Sequence, residues 1–257
     1  MSRSDEVELT QVNANVAPLP SRQVSRTAQR HSELELHICL PDLTHVTLTI
    51  DQRTQATEIM DSVIEMLELN AREARHVLSL WLVSSDLELQ LKPNHCPVQL
   101  FGKWPVYLRK HTTVSEKLIQ TQQPYVHLRR NVYISREEDL KVTDPEILEL
   151  LFTEARSNIM NGTYPCDREL AVKLAGVLCV MQYGPYNELE HTPDYYKANQ
   201  AALLPVLHLN DLKSLIPLVS QSHVARTHSL LNNPPAVDLR LTYISECSES
   251  LPFYGSV

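Results

Sequence analysis

"VTDPEILELLFTEARSNIMNG", Val142–Gly162, is where the chain changes period. Before it, apolar residues alternate with polar ones. Within it they recur every three or four positions. Ile147, Leu151, Ala155 and Ile159 form one stripe, widened by Leu148 and Phe152, which predicts an amphipathic helix. Thr143-Asp-Pro-Glu146 has the form of a capping box, and Pro145 sits in the first turn, where its missing N–H breaks no bond. Asn161-Gly162 ends the helix. Asn161-Gly-Thr163 is also a glycosylation sequon. The N-terminal residues have no apolar run after their charges, so no signal peptide is expected, and the sequon is taken as a turn.

On the C-terminal side a second helix is predicted from Asp167, with Leu170, Leu174, Leu178 and Met181 in register. Val177 and Val180 widen its stripe, so it is expected to be buried on more than one side. Gly184-Pro185 closes it. Short helices follow, with Pro205 and Pro217 as breaks and Asn232-Asn-Pro-Pro235 as a stop. Val237, Leu241 and Ile244 fit a helix and Leu239, Leu241 and Tyr243 a strand. Helix is favoured, because the surrounding region is helical.

On the N-terminal side, Leu34, Leu36 and Ile38 alternate, then Val46, Leu48 and Ile50, around a Pro41-Asp42 turn. That is a β-hairpin. A helix with Ile59, Val63, Met66 and Leu67 follows, with Thr57 as its expected N-cap. Further strands are expected in "LSLWLVS" and "LELQLKP", and in "YVHLRRNVYI", where either Tyr125 or Val126 could lead the buried face. Hairpin, helix, then strands is the order of a ubiquitin-like β-grasp. The fold class is therefore α+β. Residues 33–135 form the sheet-bearing lobe, 136–249 an all-helical lobe and 250–257 the start of a linker. Residues 1–32 are polar and aperiodic, a disordered tail. Ser25, among Arg22, Arg26 and Arg30, is read as part of that solvated tail rather than a kinase site.

The 257 residues carry a formal net charge of −8, which argues against a general nucleic-acid binder and predicts weak lipid binding. Five glycines leave no room for a glycine-rich phosphate loop. Five widely spaced cysteines fit reduced thiols. No nucleophile elbow, P-loop, dinucleotide fingerprint or zincin motif is present. No C-x-x-C pair occurs. His95-Cys96 are adjacent, so their side chains diverge, and eleven histidines make any Cys–His pairing uninformative. His223 and His228 are taken as surface residues and Glu137-Glu138-Asp139 as a solvated turn. Trp81 and Trp104 are expected in the core. No catalytic, cofactor-binding or metal-binding residue is assigned, and no enzyme activity is expected.

Three strings add a resemblance. "RRNVYISREEDLKVTDPEILELLFTEARSNIMNGTYPCD", "LAGVLCVMQYGPYN" and "SLPFYG" occur in the order they take in the FERM domain. That module has a ubiquitin-like lobe, an acyl-CoA-binding-protein-like helical lobe and a pleckstrin-homology-like lobe. "LWLVSSDLELQLKPNHCPVQLFGKWP" with "RRNVY" narrows the resemblance to one subgroup, apart from the ezrin/radixin/moesin and talin groups. The resemblance implies a non-catalytic adaptor, cytoplasmic and peripheral at the cytoplasmic face of the plasma membrane. Its implied partners are cytoplasmic tails of inactive rhomboid pseudoproteases, which keeps a sheddase complex stable, and of a Wnt co-receptor. It marks no partner-binding residue. It also makes Leu251–Gly255 the entry to the third lobe, which is expected to be missing. Leu251, Pro252, Phe253 and Tyr254 should then lie uncovered and favour self-association. Two rivals remain: a small-GTPase effector using an exposed strand edge with Arg129 and Arg130, and a lipid carrier built on the helical lobe.

Overall fold

The computed structural model describes residues 33–211, 217–231 and 238–255. The tail expected over 1–32, the Ser25 site and the stop at Asn232–Pro235 lie outside the described residues.

The alternating runs become strands β1 (Leu34–Cys39) and β2 (His45–Ile50). Helices α1 (Ala56–Met66) and α2 (Ala71–Val77) follow, then β3 (Leu78–Val83) and β4 (Glu88–Gln90). Three short helices come next, α3 (Pro97–Phe101), α4 (Trp104–His111) and α5 (Glu116–Thr121), before β5 (Tyr125–Arg130). The sheet order is β2-β1-β5-β3-β4. β1 and β5 are parallel at its centre, and the other pairs are antiparallel. Helix α1 buries Ile59, Met60, Val63 and Ile64 in the cluster that holds Ile38, Leu82, Val126 and Leu128.

A 3₁₀ turn, Arg136–Lys141, leads into α6 (Pro145–Met160) and α7 (Arg168–Tyr183). Helices α8 (Pro193–Leu203), α9 (Val206–Asp211), α10 (Pro217–Leu230) and α11 (Leu239–Ser250) complete the helical part. The expected stripe of α6 is buried in full, as are Leu170, Leu174 and Leu178 of α7. Gly176 lets α10 lie against α7, since a Cβ there would meet Thr227 at 2.7 Å and closer. The ambiguous final segment is helix.

Local expectations are corrected at three places and hold at a fourth. Helix α1 is preceded by Gln55, not Thr57: the Gln55 N–H donates to Glu58 Oε2 at 2.7 Å, while the Thr57 N–H is taken by the Pro93 carbonyl. Helix α6 is capped by Asp144, whose Oδ1 accepts from the N–H groups of Glu146 and Ile147. Thr143 is instead bound to Glu73. Pro217 opens α10 rather than breaking it, a position where its missing N–H is harmless. Asn161 does make a turn: its side-chain oxygen accepts from the Thr163 N–H and hydroxyl.

Candidate functional site

Several polar residues are drawn inward, where they fasten the sheet to the helices. β5 decides this. Its burial alternates, with Val126, Leu128 and Arg130 inward and Tyr125 exposed. Arg130 therefore points into the molecule from the middle strand. Its Nε donates to Asp139 Oδ2 at 2.7 Å, and its other nitrogens reach the carbonyls of Asn131, Ser135 and Gly255. Asp139 has no exposed surface, so the expected solvated turn is corrected at this residue. Tyr254 closes the node: its hydroxyl donates to Asp139 Oδ2 at 2.9 Å, its ring lies 5.6 Å from the Arg130 guanidinium carbon, and it packs edge-on against Tyr164.

Burial works against the charge on Arg130, but the hydrogen bond and charge of Asp139 outweigh it and raise its pKa. Burial pushes the Asp139 carboxyl up, against the pull of Arg130 and Tyr254. A charge so enclosed is tolerated only because it is paired. Asp139 Oδ1 is buried with no partner among the described residues.

This node overturns the expectation for Leu251 and Tyr254, while Pro252 and Phe253 are exposed as expected. Leu251 and Tyr254 are buried, and Phe253 is 59% exposed. Arg136 donates to the carbonyls of Ser248, Leu251 and Pro252, the first of which is an acceptor that the helix end leaves unpaired. Gly255 has a left-handed φ of 73°, and a Cβ there would collide with the Arg130 guanidinium. The segment 251–255 is thus a strap held by the first two parts of the molecule.

Two further latches lie beside it. Glu73 of α2 accepts from the Thr143 hydroxyl and from the N–H groups of Thr143 and Asp144, while Asp144 accepts from the Asn70 N–H. The helix starts of α2 and α6 therefore cap each other's neighbourhoods, and the Thr143 bond is the largest influence holding Glu73 below its usual pKa. Arg129 bridges Glu88 at 2.8 Å and Glu154 at 3.1 Å, and Glu154 also accepts from the Arg130 N–H. Arg129 lies 5.6 Å from the Trp81 ring centre. Neither arginine is at a strand edge, which removes the basis on which they were expected to receive a GTPase.

The histidines divide. His223 is exposed, but His228 has no exposed surface. One ring nitrogen of His228 lies 2.8 Å from the Gly184 carbonyl, which only an N–H can satisfy, and the other 2.8 Å from the Tyr196 hydroxyl. The His191 ring lies 4.6 Å away, tilted by 43°. Burial, the largest influence, lowers the His228 pKa.

The thiols of Cys166 and Cys179 are not activated. Burial pushes the Cys166 thiol up to about 11 and the Cys179 thiol up to about 12, so both stay protonated at neutral pH. His208 approaches Cys166 Sγ only at 4.0 Å, and its Nε2 sits 2.8 Å from the Cys166 carbonyl. Among the described residues, no group of three or more His, Cys, Asp or Glu is placed to hold a metal ion. No helix of the described residues is long and apolar enough to cross a membrane. Trp81 and Trp104 are both buried, the Trp81 N–H donating to the Arg130 carbonyl.

Residues 137–257 match the family model of the FERM central domain. The chain carries the FERM central domain over these residues. It is 37% identical over 162 residues to FERM domain-containing protein 8 of Xenopus laevis, covering 62% of this chain and 36% of that protein. The match to the Homo sapiens protein of the same name is 37% over 151 residues, 58% of this chain and 32% of the relative. The chain thus spans about a third of the length of these relatives. Among solved structures, the Dictyostelium discoideum myosin VII MyTH4-FERM MF2 domain superposes with a TM-score of 0.66 at 17% identity, over 87% of this chain and 42% of that one. The human myosin 7b MyTH4-FERM domain, solved in complex with the harmonin-a PDZ3 domain, gives 0.58 at 17% identity, over 88% and 43%. The FERM fold of mixed sheet and helices is therefore shared beyond sequence similarity.

Arg130 could have been found from the sequence. It has the same strand parity as Val126 and Leu128, so alternation alone turns it inward. His228 is likewise four residues beyond the buried Val224. Asp139 has no such signal, since its neighbours Glu137 and Glu138 keep some exposure.

Proposed function

We propose that this protein is a non-catalytic FERM-domain adaptor, cytoplasmic and peripheral at the cytoplasmic face of the plasma membrane, that binds cytoplasmic tails of transmembrane proteins. The tails implied are those of an inactive rhomboid pseudoprotease, stabilising its sheddase complex, and of a Wnt co-receptor. The observation that carries the reading is the 37% identity to FERM domain-containing protein 8. It is supported by the inward-turned polar groups and raised thiol pKa values, which suit a rigid holder better than a reaction centre. The working division is a sheet lobe over 33–135, a helical lobe over 136–249 and a connection over 250–257. A FERM-bearing neighbour is solved holding a partner domain, which fits recognition of proteins. With net charge −8, membrane attachment comes through the tail rather than through anionic lipid.

The test is retention of the 257-residue chain on immobilised tails of an inactive rhomboid and of the Wnt co-receptor, beside a scrambled tail and a GTP-loaded Rap-like GTPase. Retention on a receptor tail, competed by free tail peptide, is expected. Retention only on the loaded GTPase, or on none, contradicts the proposal.

A further inference from the structure

The sheet has two edges, and they differ. β4 is three residues long, and a short edge is a common guard against unwanted pairing. β2 has six residues, His-Val-Thr-Leu-Thr-Ile, with no acidic residue, lysine, arginine or proline. Its outward groups follow from the register. β1 and β2 pair Leu34 with Ile50, Leu36 with Leu48 and Ile38 with Val46. The Leu40 N–H donates to the Thr44 carbonyl at 2.8 Å, so the same alternation makes those three the hydrogen-bonded pairs. His45, Thr47 and Thr49 must then direct their N–H and C=O groups away from β1. Among the described residues, no backbone group bonds to them there. The Thr47 side chain is engaged by His37, but its backbone is not.

We propose that β2 pairs with β2 of a second copy of this chain, antiparallel across a two-fold axis at Thr47. This goes beyond the adaptor reading and does not depend on it. With Thr47 opposite Thr47, and His45 opposite Thr49 on either side, each outward N–H meets an outward carbonyl. The same register sets Val46 against Leu48 of the second copy on the apolar face. Both are only half-buried in the single chain, so pairing covers apolar surface that the fold leaves open. No like charges meet along the strand. The antiparallel order also brings the hairpin turn with Asp42 beside the far end of the other β2. Arg53 lies at that end, exposed and without an ion pair among the described residues. Asp51 stands at the same end, so each corner carries both signs. Six residues from each copy bury little area, so the dimer should be weak and concentration-dependent.

The first test uses the unmodified 257-residue chain in sedimentation velocity from about 5 to about 500 µM, the range in which small interfaces associate. The weight-average sedimentation coefficient should rise toward that of a dimer. In hydrogen exchange, the Thr47 and Thr49 amides should gain protection with concentration, while Val46 and Leu48 stay protected throughout. Thr47→Lys sets two lysines on the axis, and Thr47→Pro removes an outward N–H that β1 does not use. Each should weaken dimerisation by about tenfold or more, with the circular dichroism of the monomer unchanged. Leu230→Lys, at an exposed helical position, should leave dimerisation as it is. A chain that stays monomeric at the highest concentration overturns the proposal. So does a dimer that both Thr47 variants leave intact, or an edge that gains protection only when an extended peptide of another protein is added. Tail retention is read separately, so failure of the dimer and failure of the adaptor reading are distinguishable.

Discussion

The strap at Leu251–Gly255 and the strand at His45–Ile50 are both margins of the folded unit, and they are finished in opposite ways. The strap is short and irregular, yet its carbonyls are taken by Arg136 and Arg130 and its tyrosine by Asp139. The strand is regular, yet half of its backbone groups face outward without a described partner. Regularity does not satisfy a margin; long side chains reaching from a neighbouring element do. Two arginines on fixed supports hold what secondary structure cannot, while a strand of small and apolar side chains has nothing to fold back over its own edge.

Removing the arginine at the centre of the strap is expected to have the largest effect. Arg130→Ala leaves Asp139 charged, buried and unpaired, and should cost about 3–5 kcal/mol in urea unfolding. A loss below about 1 kcal/mol, the range of exposed ion pairs, would mean that water reaches the node. Tyr254→Phe is the finer probe. It removes one hydrogen bond to a carboxylate and keeps the ring over the guanidinium, so about 1.5–3 kcal/mol is expected. An effect near zero would show that the Tyr254 hydroxyl does not help to hold the strap.

The two margins also differ in how far they could be read beforehand. β2 was legible, because six alternating residues beside a turn admit one interpretation and the parity of each residue follows from it. The strap was not: Leu-Pro-Phe-Tyr-Gly has no period, and its partners lie about 115 residues away. α6 and α7 were legible for the same reason as β2, each carrying sixteen residues of consistent stripe. Helices α2 to α5 were missed because five to eight residues give too few repeats for a period to show. Thr143 and Asp144 were equally good caps in sequence, and the choice fell to Asp144 because Glu73 from another helix claims Thr143.

A smaller effect is expected from acid. The His228 pKa is lowered by burial, so its neutral form belongs to the folded state. Its contribution is complete above the unfolded value of about 6.5 and is lost as pH falls below it. His191, Tyr186 and Tyr196 are the ring neighbours that would surround the new charge. The melting temperature should therefore fall between pH 7.5 and pH 5.5, and His228→Gln should flatten that dependence. An unchanged slope would assign the acid sensitivity to other groups, such as His127, which burial also lowers.

The account rests on the sheet and helices being fastened into one unit, and the two tryptophans allow a direct measurement. Trp81 and Trp104 both lie in the sheet-bearing part, whereas far-ultraviolet circular dichroism reports mainly the helices. Thermal unfolding of the 257-residue chain followed by both signals should give coincident transitions in the natural sequence, and Arg130→Ala should pull them apart. Transitions already separated in the natural sequence, with the separation unaltered by Arg130→Ala, would contradict the claim that this arginine joins the two parts.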